Sequence, residues 1–173
     1  MEELILVDCL DNEIGTSSKE EAHFKPKLHR AFSIFLFDKN EMLIQRRAYN
    51  KYHSGGLWAN SCCSHTRANK TIQESLNDRL QHELNLPPIE LTEIFDFTYL
   101  TKFNDNMYEY EYDHVFVGKL NKQEINFNKD EICETKWIDI DELSKELTTN
   151  PEIFASWFLI CAPKVIKYIK THI

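Results

Sequence analysis

Short hydrophobic runs of strand length, separated by polar turn residues, recur along this chain and predict β-strands. The run 28–38 (LHRAFSIFLFD) is followed by the turn Lys39-Asn40 and by a second run, 42–47, so this pair predicts a hairpin. The segment 58–65 (WANSCCSH) follows the turn Gly55-Gly56 and has the length of a short strand. The predicted strands are 3–9, 28–38, 42–47, 58–65, 91–101, 107–119 and 131–138, and residues 11–15 are predicted as a turn and return after the first of them.

Helical periodicity is strongest in 71–84, where four hydrophobic residues recur at every fourth position. Asn69 or Thr71 can cap this helix, and Pro87-Pro88 ends it. We also predict a short helix at 139–147 and a longer one at 151–173, which begins at Pro151 and bends at Pro163. The segment 16–27 is polar and is predicted to be irregular. This pattern favours an α+β sandwich with a mixed sheet, formed as one domain over residues 1–173.

Composition and charge narrow the classes of function. The net charge of −8 argues against nucleic acid as the main partner. No apolar run approaches the roughly 20 residues of a membrane span, so no membrane partner is expected. The chain has five cysteines, an odd number, and no apolar segment follows a basic start at its N-terminus. Neither secretion nor a framework of disulfides is therefore predicted. We therefore expect free thiols and a reducing, cytoplasmic location.

The segment 58–65 ends in a thiol and an imidazole that point the same way. In an extended chain, residues i and i+2 share a face, so Cys63 and His65 lie together and Cys62 points to the opposite side. A buried cysteine beside a structural histidine is one interpretation of this pair, and a reactive site is the other.

An acidic stripe is predicted on the strand 107–119. The residues Glu109, Glu111 and Asp113 share one face, and the other face carries Tyr108, Tyr110, Tyr112, His114 and Phe116. An edge strand with an acidic face in water and a buried aromatic face would explain the pattern. Alternatively, a bound divalent cation would relieve the repulsion between the carboxylates, which are good ligands for such ions.

Charged residues also fall where the sequence predicts contact with the protein interior or with an anion. On the helix 71–84, Arg79 and Glu83 lie on or beside the apolar face, either as an i,i+4 ion pair or as groups that face a ligand. Arg46, Arg47 and Lys51 frame a loop of suitable size to clamp an anion, and alternation places the two arginines on opposite faces of their strand. A solvated hairpin end is the alternative.

Several of these motifs occur in the same order in one enzyme family. The chain resembles type 1 isopentenyl-diphosphate isomerases from about residue 19 to residue 157. The resemblance rests on HRAFS (29–33), RRA (46–48), WANSCCSH (58–65), EL (83–84) and EYE (109–111). These enzymes have a Nudix fold, in which mixed β-sheets are sandwiched between α-helices. The resemblance implies that the chain converts isopentenyl diphosphate into dimethylallyl diphosphate in isoprenoid biosynthesis, as a monomer or weak dimer.

The resemblance also implies roles for individual residues. One divalent cation (Mg²⁺, Mn²⁺ or Zn²⁺) would be bound by His23, His29, His65, Glu109 and Glu111. The catalytic thiol falls on Cys63, the second catalytic group on Glu111, and an aromatic hydroxyl and indole near the reacting carbons on Tyr99 and Trp157. Glu83 would help to hold a Mg²⁺ ion that arrives with the diphosphate, and the positions that bind the diphosphate correspond to Lys19, Arg47, Lys51 and Arg79.

The chain departs from the acidic motif of hydrolytic Nudix proteins, G-x5-E-x7-R-E-U-x-E-E-x-G-U. The aligned positions carry Ser64, Lys70, Asp78, Arg79, His82, Glu83 and Asn85, and only Glu83 keeps the motif's identity among them. A hydrolase needs several acids to gather metal ions and activate water. The sequence therefore favours an isomerase over a Nudix pyrophosphohydrolase, and over a non-catalytic diphosphate-binding module, which would not need Cys63.

Overall fold

The computed structural model describes residues 3–172, which form a mixed β-sheet flanked by helices. Its strands are β1 (Glu3–Val7), β2 (Glu13–Ser18), β3 (His29–Asp38), β4 (Glu41–Arg47), β5 (Trp58–Ala59), β6 (Cys62–His65), β7 (Thr92–Asn104), β8 (Met107–Lys119) and β9 (Ile132–Asp139). Its helices are α1 (Lys19–Phe24), α2 (Ile72–Leu84), α3 (Ile140–Thr149) and α4 (Ser156–His172), and a 3-10 turn spans Pro151–Ile153. No helix among residues 3–172 is long and apolar enough to cross a bilayer.

Strand β3 organises the sheet because it pairs with β4 and β6 on an antiparallel ladder and with β8 on a parallel one. The parallel register sets His29 opposite Glu111, and the antiparallel register sets Ser33 opposite Cys63. Strands β7 and β8 form a long hairpin, and β4 also pairs with β5 and β9. The result is that three distant segments of the chain bring polar residues to one end of β3.

Two hydrophobic cores lie on the opposite faces of the sheet. Residues Ile34 and Leu36 of β3 pack with Leu76 and Leu80 of α2 in one core. The alternate residue Phe35 packs with α3 and α4 in the other core. Each fully buried side chain of this size contributes roughly 1.5–3 kcal/mol to stability. Alternation along β3 thus fixes the sheet between α2 and the C-terminal helices, as the predicted sandwich requires.

The ends of α2 are fixed by local hydrogen bonds. Thr71 and Glu74 form a reciprocal capping box at the N-terminus. Asn85 ends the helix in the left-handed conformation, with φ of 51°, which asparagine tolerates better than most residues. The helix that carries Arg79 and Glu83 therefore begins and ends at defined residues.

Three predicted segments are wrong in detail. The predicted strand 58–65 is divided into β5 and β6, with residues 60–61 between them. The segment 16–27 is not irregular: it completes β2 and forms α1, whose N-cap is Ser18. A helix of six residues is too short to show a hydrophobic period. The predicted helix 151–173 does not begin at Pro151, because a 3-10 turn ends at Ile153 and α4 begins at Ser156. Its predicted last residue, Ile173, lies outside the described residues, and the bend at Pro163 stays a prediction.

Candidate functional site

A cavity of about 200 Å³ lies at the end of β3, where β6, β8, α2 and the 48–57 loop meet. Most of its lining is polar or charged, which is unusual for a concavity so close to two hydrophobic cores. The lining residues are Lys19, Phe32, Ser33, Arg47, Lys51, Tyr52, His53, Cys63, Ser64, His65, Arg79, Glu83, Tyr99, Glu109, Glu111, Asp113, Glu131 and Trp157.

Three histidine rings form a cluster at one side of the cavity. The ring of His29 lies 4.8 Å from that of His65, and the ring of His23 lies 5.3 Å from each. The Nδ1 atom of His29 lies 2.8 Å from the carbonyl oxygen of Lys27, so it can donate there and leave Nε2 directed at the cluster. Burial and the neighbouring rings of His65 and His29 lower the pKa of His23 to about 3, so its imidazole is neutral.

The two glutamates of β8 complete this cluster. Oε1 of Glu111 lies 2.9 Å from Nε2 of His65, and the phenol of Tyr99 donates to Oε2 of Glu111 at 2.6 Å. Tyr99 can make this contact because the hairpin register places it directly opposite Glu111. Nε2 of His53 lies 2.6 Å from Oε1 of Glu109. Both carboxylates are therefore held in fixed orientations within a buried site.

The arrangement fits a divalent cation. Potential ligand atoms of His23, His29 and His65 lie within 4.8 Å of one another, and those of His65, Glu109 and Glu111 do so as well. Among the described residues, the Nε2 atoms of His23 and His29 are buried and have no hydrogen-bond partner. A buried polar atom without a partner is costly, and coordination to a metal ion would satisfy both of them.

The protonation states of Glu111 and Tyr99 follow from their surroundings. Burial opposes ionisation of Glu111, but the adjacent His29 and His65 rings outweigh burial and hold the pKa of Glu111 well below its ordinary value. Burial and the charges of Glu109 and Glu111 raise the pKa of Tyr99 well above its ordinary value. Tyr99 thus keeps its proton and acts as a hydrogen-bond donor to an ionised carboxylate.

The two neighbouring cysteines face opposite sides of β6, as predicted. Cys63 lines the cavity together with His65, whereas Cys62 is fully buried in the core beneath α2. Burial raises the pKa of the Cys63 thiol, and the charges of Glu83 and Glu111 raise it further while Arg47 opposes them. The cavity therefore holds a protonated thiol and an ionised carboxylate.

An indole ring closes another wall of the cavity. Trp157, at the start of α4, is 2% exposed, and its Nε1 donates to Oδ1 of Asn60 at 3.0 Å. The amide of Asn60 in turn donates to the carbonyl oxygens of Cys62 at 2.6 Å and Ile34 at 3.2 Å. The buried Asn60 therefore ties the ring of Trp157 to the strands β3 and β6.

Four cationic side chains line the cavity on the side of the 48–57 loop and α2: Lys19, Arg47, Lys51 and Arg79. The guanidinium of Arg47 lies 5.3 Å from the centre of the Trp157 ring, and Nζ of Lys19 lies 4.4 Å from that of Tyr52. Arg46 points to the other face of β4, where it lies 3.6 Å from Glu134. The prediction that alternation places the two arginines on opposite faces of their strand is confirmed, and Arg47 is the one that lines the cavity.

Two carboxylates lie among these cations. Arg79 pairs with Glu83, and its Nη2 also lies 3.4 Å from Oε2 of Glu131. Lys51 lies 2.5 Å from the same Oε2 atom of Glu131. Gln45 donates to Oε2 of Glu83 at 2.8 Å and to the carbonyl oxygen of Ser61 at 2.7 Å. The predicted i,i+4 pair of α2 exists, and it also faces the cavity.

The acidic face of β8 lies inward, so the alternative of an acidic face in water is wrong. Glu109, Glu111 and Asp113 are 4%, 6% and 1% exposed. Strand β8 also lies between β3 and β7, so it is not an edge strand. Asp113 accepts a hydrogen bond from Ser33 at 2.8 Å, and burial together with the charge of Glu111 raises its pKa well above the ordinary value.

All of the predicted site residues lie in or beside this cavity, with His23 and His29 packed behind His65. No role is predicted from the sequence for His53, Glu131 or Asn60, all of which contact predicted site residues. His53 and Glu131 lie in loops, where no periodicity indicates which way a side chain points. Asn60 lies in the segment WANSCCSH (58–65), two residues before Cys62. Its place in that motif is the signal that could have indicated a role.

One domain family and several known enzymes are similar to this chain. The NUDIX domain family matches residues 27–158. An isopentenyl-diphosphate Delta-isomerase from Serratia proteamaculans (strain 568) is 43% identical over 159 residues, which cover 91% of this chain and 88% of that protein. Isopentenyl-diphosphate Delta-isomerase 2 from Aromatoleum aromaticum is 42% identical over 166 residues, which cover 95% of this chain and 87% of that protein.

Solved structures show the same fold at low sequence identity. A protein from Deinococcus radiodurans superposes with a TM-score of 0.76 at 17% identity and covers 94% of this chain and 98% of its own. A MutT NUDIX hydrolase from Burkholderia pseudomallei superposes with a TM-score of 0.63 at 13% identity, covering 80% of this chain and 98% of its own.

Proposed function

We propose that this chain, which belongs to the isopentenyl-diphosphate Delta-isomerase family of NUDIX-domain proteins, converts isopentenyl diphosphate into dimethylallyl diphosphate. It is an isomerase that moves a carbon–carbon double bond without breaking the diphosphate. The observation that carries the proposal is one cavity that combines a thiol, a metal-type cluster and a set of cations. The proposed reaction adds a proton to the terminal carbon of the double bond. It removes a proton from the carbon next to the other end of that double bond.

Cys63 and Glu111 are the proposed proton-transfer groups. Each lines the cavity, and together they supply one group that holds a proton and one that lacks it. Protonation of the alkene gives a tertiary carbocation, which must be shielded from water until the second proton leaves. Tyr99, hydrogen-bonded to Glu111 at 2.6 Å, is placed to orient that carboxylate. The face of Trp157 can stabilise the cation by roughly 1–2 kcal/mol in a desolvated site.

His23, His29, His65, Glu109 and Glu111 are the proposed ligands of one divalent cation. Mixed nitrogen and carboxylate ligands suit Mn²⁺ or Zn²⁺ as well as Mg²⁺. When bound, the ion would neutralise the two buried glutamates and polarise the carboxylate of Glu111. His29 presents Nε2 to the ion because its Nδ1 is engaged by Lys27, and His53 orients Glu109.

The diphosphate is proposed to lie against Lys19, Arg47, Lys51 and Arg79, with Glu83 helping to hold a Mg²⁺ ion that arrives with it. Binding energy from these contacts would position the small apolar end of the substrate between the proton-transfer groups. Of the four acids in the motif of Nudix hydrolases, only Glu83 is kept; the other three positions carry Lys70, Arg79 and His82. The loss of these acids supports binding of a diphosphate without its hydrolysis.

Incubation with isopentenyl diphosphate and Mg²⁺ in deuterated water tests the proposal. The expected product is deuterium-labelled dimethylallyl diphosphate, detected by NMR or mass spectrometry. Cys63→Ala and Glu111→Gln should each abolish turnover because each removes one proton-transfer group. Cys62→Ala is the matched control and should retain most activity, since its side chain lies in the core.

Two results would contradict this assignment. Release of phosphate without labelled product would indicate a hydrolase. Equal loss of turnover in the Cys62 and Cys63 variants, with both folded, would show that the thiol in the cavity has no chemical role.

A further inference from the structure

Glu131 lies at the point where the cations of the cavity converge. Its Oε2 lies 2.5 Å from Nζ of Lys51 and 3.4 Å from Nη2 of Arg79, and its Oε1 lies 3.5 Å from Nε2 of His82. Its side chain is 19% exposed, so these contacts are only partly screened by water. Two of the four proposed diphosphate-binding cations therefore share one carboxylate.

The position of Glu131 is fixed by its backbone. The amide of Ala48 donates to the carbonyl oxygen of Glu131 at 3.0 Å. The amide of Glu131 donates to the carbonyl oxygen of Asn128, also at 3.0 Å. The amide of Asn128 in turn donates to the carbonyl oxygen of Glu83 at 2.8 Å. Glu131 is thus tied both to the loop that carries Lys51 and to the end of α2, and it does not depend on its ion pairs for its location.

Glu131 changes the charge that a diphosphate would meet. Among the side chains that surround the proposed diphosphate position, Lys19, Arg47, Lys51 and Arg79 carry four positive charges and Glu83 and Glu131 carry two negative ones. This local sum is two positive charges, before Glu109, Glu111 and Asp113 of the same cavity are counted. A diphosphate monoester carries about three negative charges near neutral pH, and one Mg²⁺ ion reduces this to about one. When the diphosphate binds Lys51 and Arg79, it displaces the carboxylates of Glu83 and Glu131 as their partners. The two carboxylates then lie beside the diphosphate and repel it, and this repulsion is relieved only if a cation accompanies the substrate.

We propose that Glu131 is a specificity-determining residue that makes the cavity select magnesium-bound diphosphate over the free anion. The inference rests on the proposed diphosphate site. Glu131 acts through Lys51 and Arg79: it holds them in place before the substrate arrives and penalises a diphosphate that brings no metal ion. It is a positioning residue and takes no part in proton transfer.

Calorimetric titration with inorganic pyrophosphate tests this role without relying on turnover. Titrations are made with and without added Mg²⁺, in buffer cleared of free divalent ions, and the metal content of each protein sample is measured. The wild type should bind pyrophosphate at least about tenfold more tightly with Mg²⁺. Glu131→Gln keeps the shape of the side chain but removes its charge, so metal-free binding should strengthen about tenfold and the advantage of Mg²⁺ should largely disappear.

Two further variants separate the local effect from general ones. Glu134→Gln removes the same charge near Arg46, outside the cavity, and should leave the advantage of Mg²⁺ as in the wild type. Glu131→Asp keeps the charge and should restore most of that advantage, and it serves as the test should Glu131→Gln fail to fold.

The outcomes distinguish this inference from the function on which it rests. If the wild type binds no pyrophosphate under either condition, the proposed diphosphate site is wrong and the inference is overturned with it. If the wild type prefers magnesium pyrophosphate and Glu131→Gln keeps that preference, only the role of Glu131 is overturned. Equal weakening of both forms in Glu131→Gln would likewise show a merely structural role. If Glu131→Asp stands in for an unfolded Glu131→Gln, loss of the preference in Glu131→Asp overturns the role.

Discussion

Replacement of Asn60 by alanine should destabilise the protein and loosen the indole ring of Trp157. The side chain of Asn60 makes three buried hydrogen bonds, to Nε1 of Trp157 and to the carbonyl oxygens of Ile34 and Cys62. Loss of the acceptor leaves the indole N–H buried without a partner, which costs about 1–3 kcal/mol. The two carbonyl contacts add roughly 0.5–1.5 kcal/mol each, so we expect a total of about 4 kcal/mol.

Urea denaturation measures this loss, and a double-mutant cycle assigns it. Trp157→Phe keeps a ring but removes the N–H, so it breaks the same hydrogen bond from the other side. If the bond contributes to stability, the two losses should be less than additive by about 1 kcal/mol. A protein of ordinary stability, about 5–15 kcal/mol, stays folded through this change.

The same variant should affect turnover and diphosphate binding differently. Asn60→Ala frees the ring beside the proposed position of the reacting carbons, so turnover should fall. Pyrophosphate affinity should stay within about twofold, because the hydrogen bonds of Asn60 go to Trp157, Ile34 and Cys62 and not to the four cations. Losses in stability that add to within roughly 0.5 kcal/mol, as for independent sites, would refute the coupling of Asn60 to Trp157. An equal fall in turnover and in pyrophosphate affinity would refute its local action.

Two further predictions concern the proposed metal cluster. His53→Gln should weaken divalent metal binding roughly 10–100-fold, because the partner that orients Glu109 is lost. Competition with a metal-binding dye measures this change. His114→Gln is the control, since the ring of His114 contacts Glu93 outside the cavity. Equal weakening in both variants would contradict the role of His53. Mn²⁺ or Zn²⁺ at a hundred times its dissociation constant should add about 2.7 kcal/mol to the free energy of unfolding. Thermal unfolding should show this as a rise in Tm of roughly 5–10 °C. Glu109→Gln should reduce this rise, and an undiminished rise would place the ion elsewhere.

The sequence predicted best where periodicity applies. The i+4 pattern of α2 placed Arg79 and Glu83 beside the apolar face, and both line the cavity. Alternation along β6 likewise predicted that Cys63 and Cys62 point to opposite faces, and Cys62 is fully buried in the core. Each of these predictions uses only the geometry of one element, which its own residues determine.

Other features depend on contacts that no single element encodes. Alternation on β8 defines two faces but does not say which lies inside; hydrophobicity would favour the aromatic one, and the structure buries Glu109, Glu111 and Asp113 instead. His53 and Glu131 reach the cavity through loop backbone, where side-chain direction follows no period. Helix α1 was missed because its six residues make too few turns for a pattern.

The parallel pairing of β3 with β8 has a consequence for the order in which the protein folds. His29 and Glu111 are neighbours only in that register, although most of the sheet, α2 and the β7 strand lie between them in the sequence. Closing so long a loop is entropically expensive, and parallel pairings of this kind form slowly. The five-residue cluster therefore does not exist in partly folded chains that lack this pairing, and a metal ion captured there during refolding would mark a chain that has completed this long-range pairing.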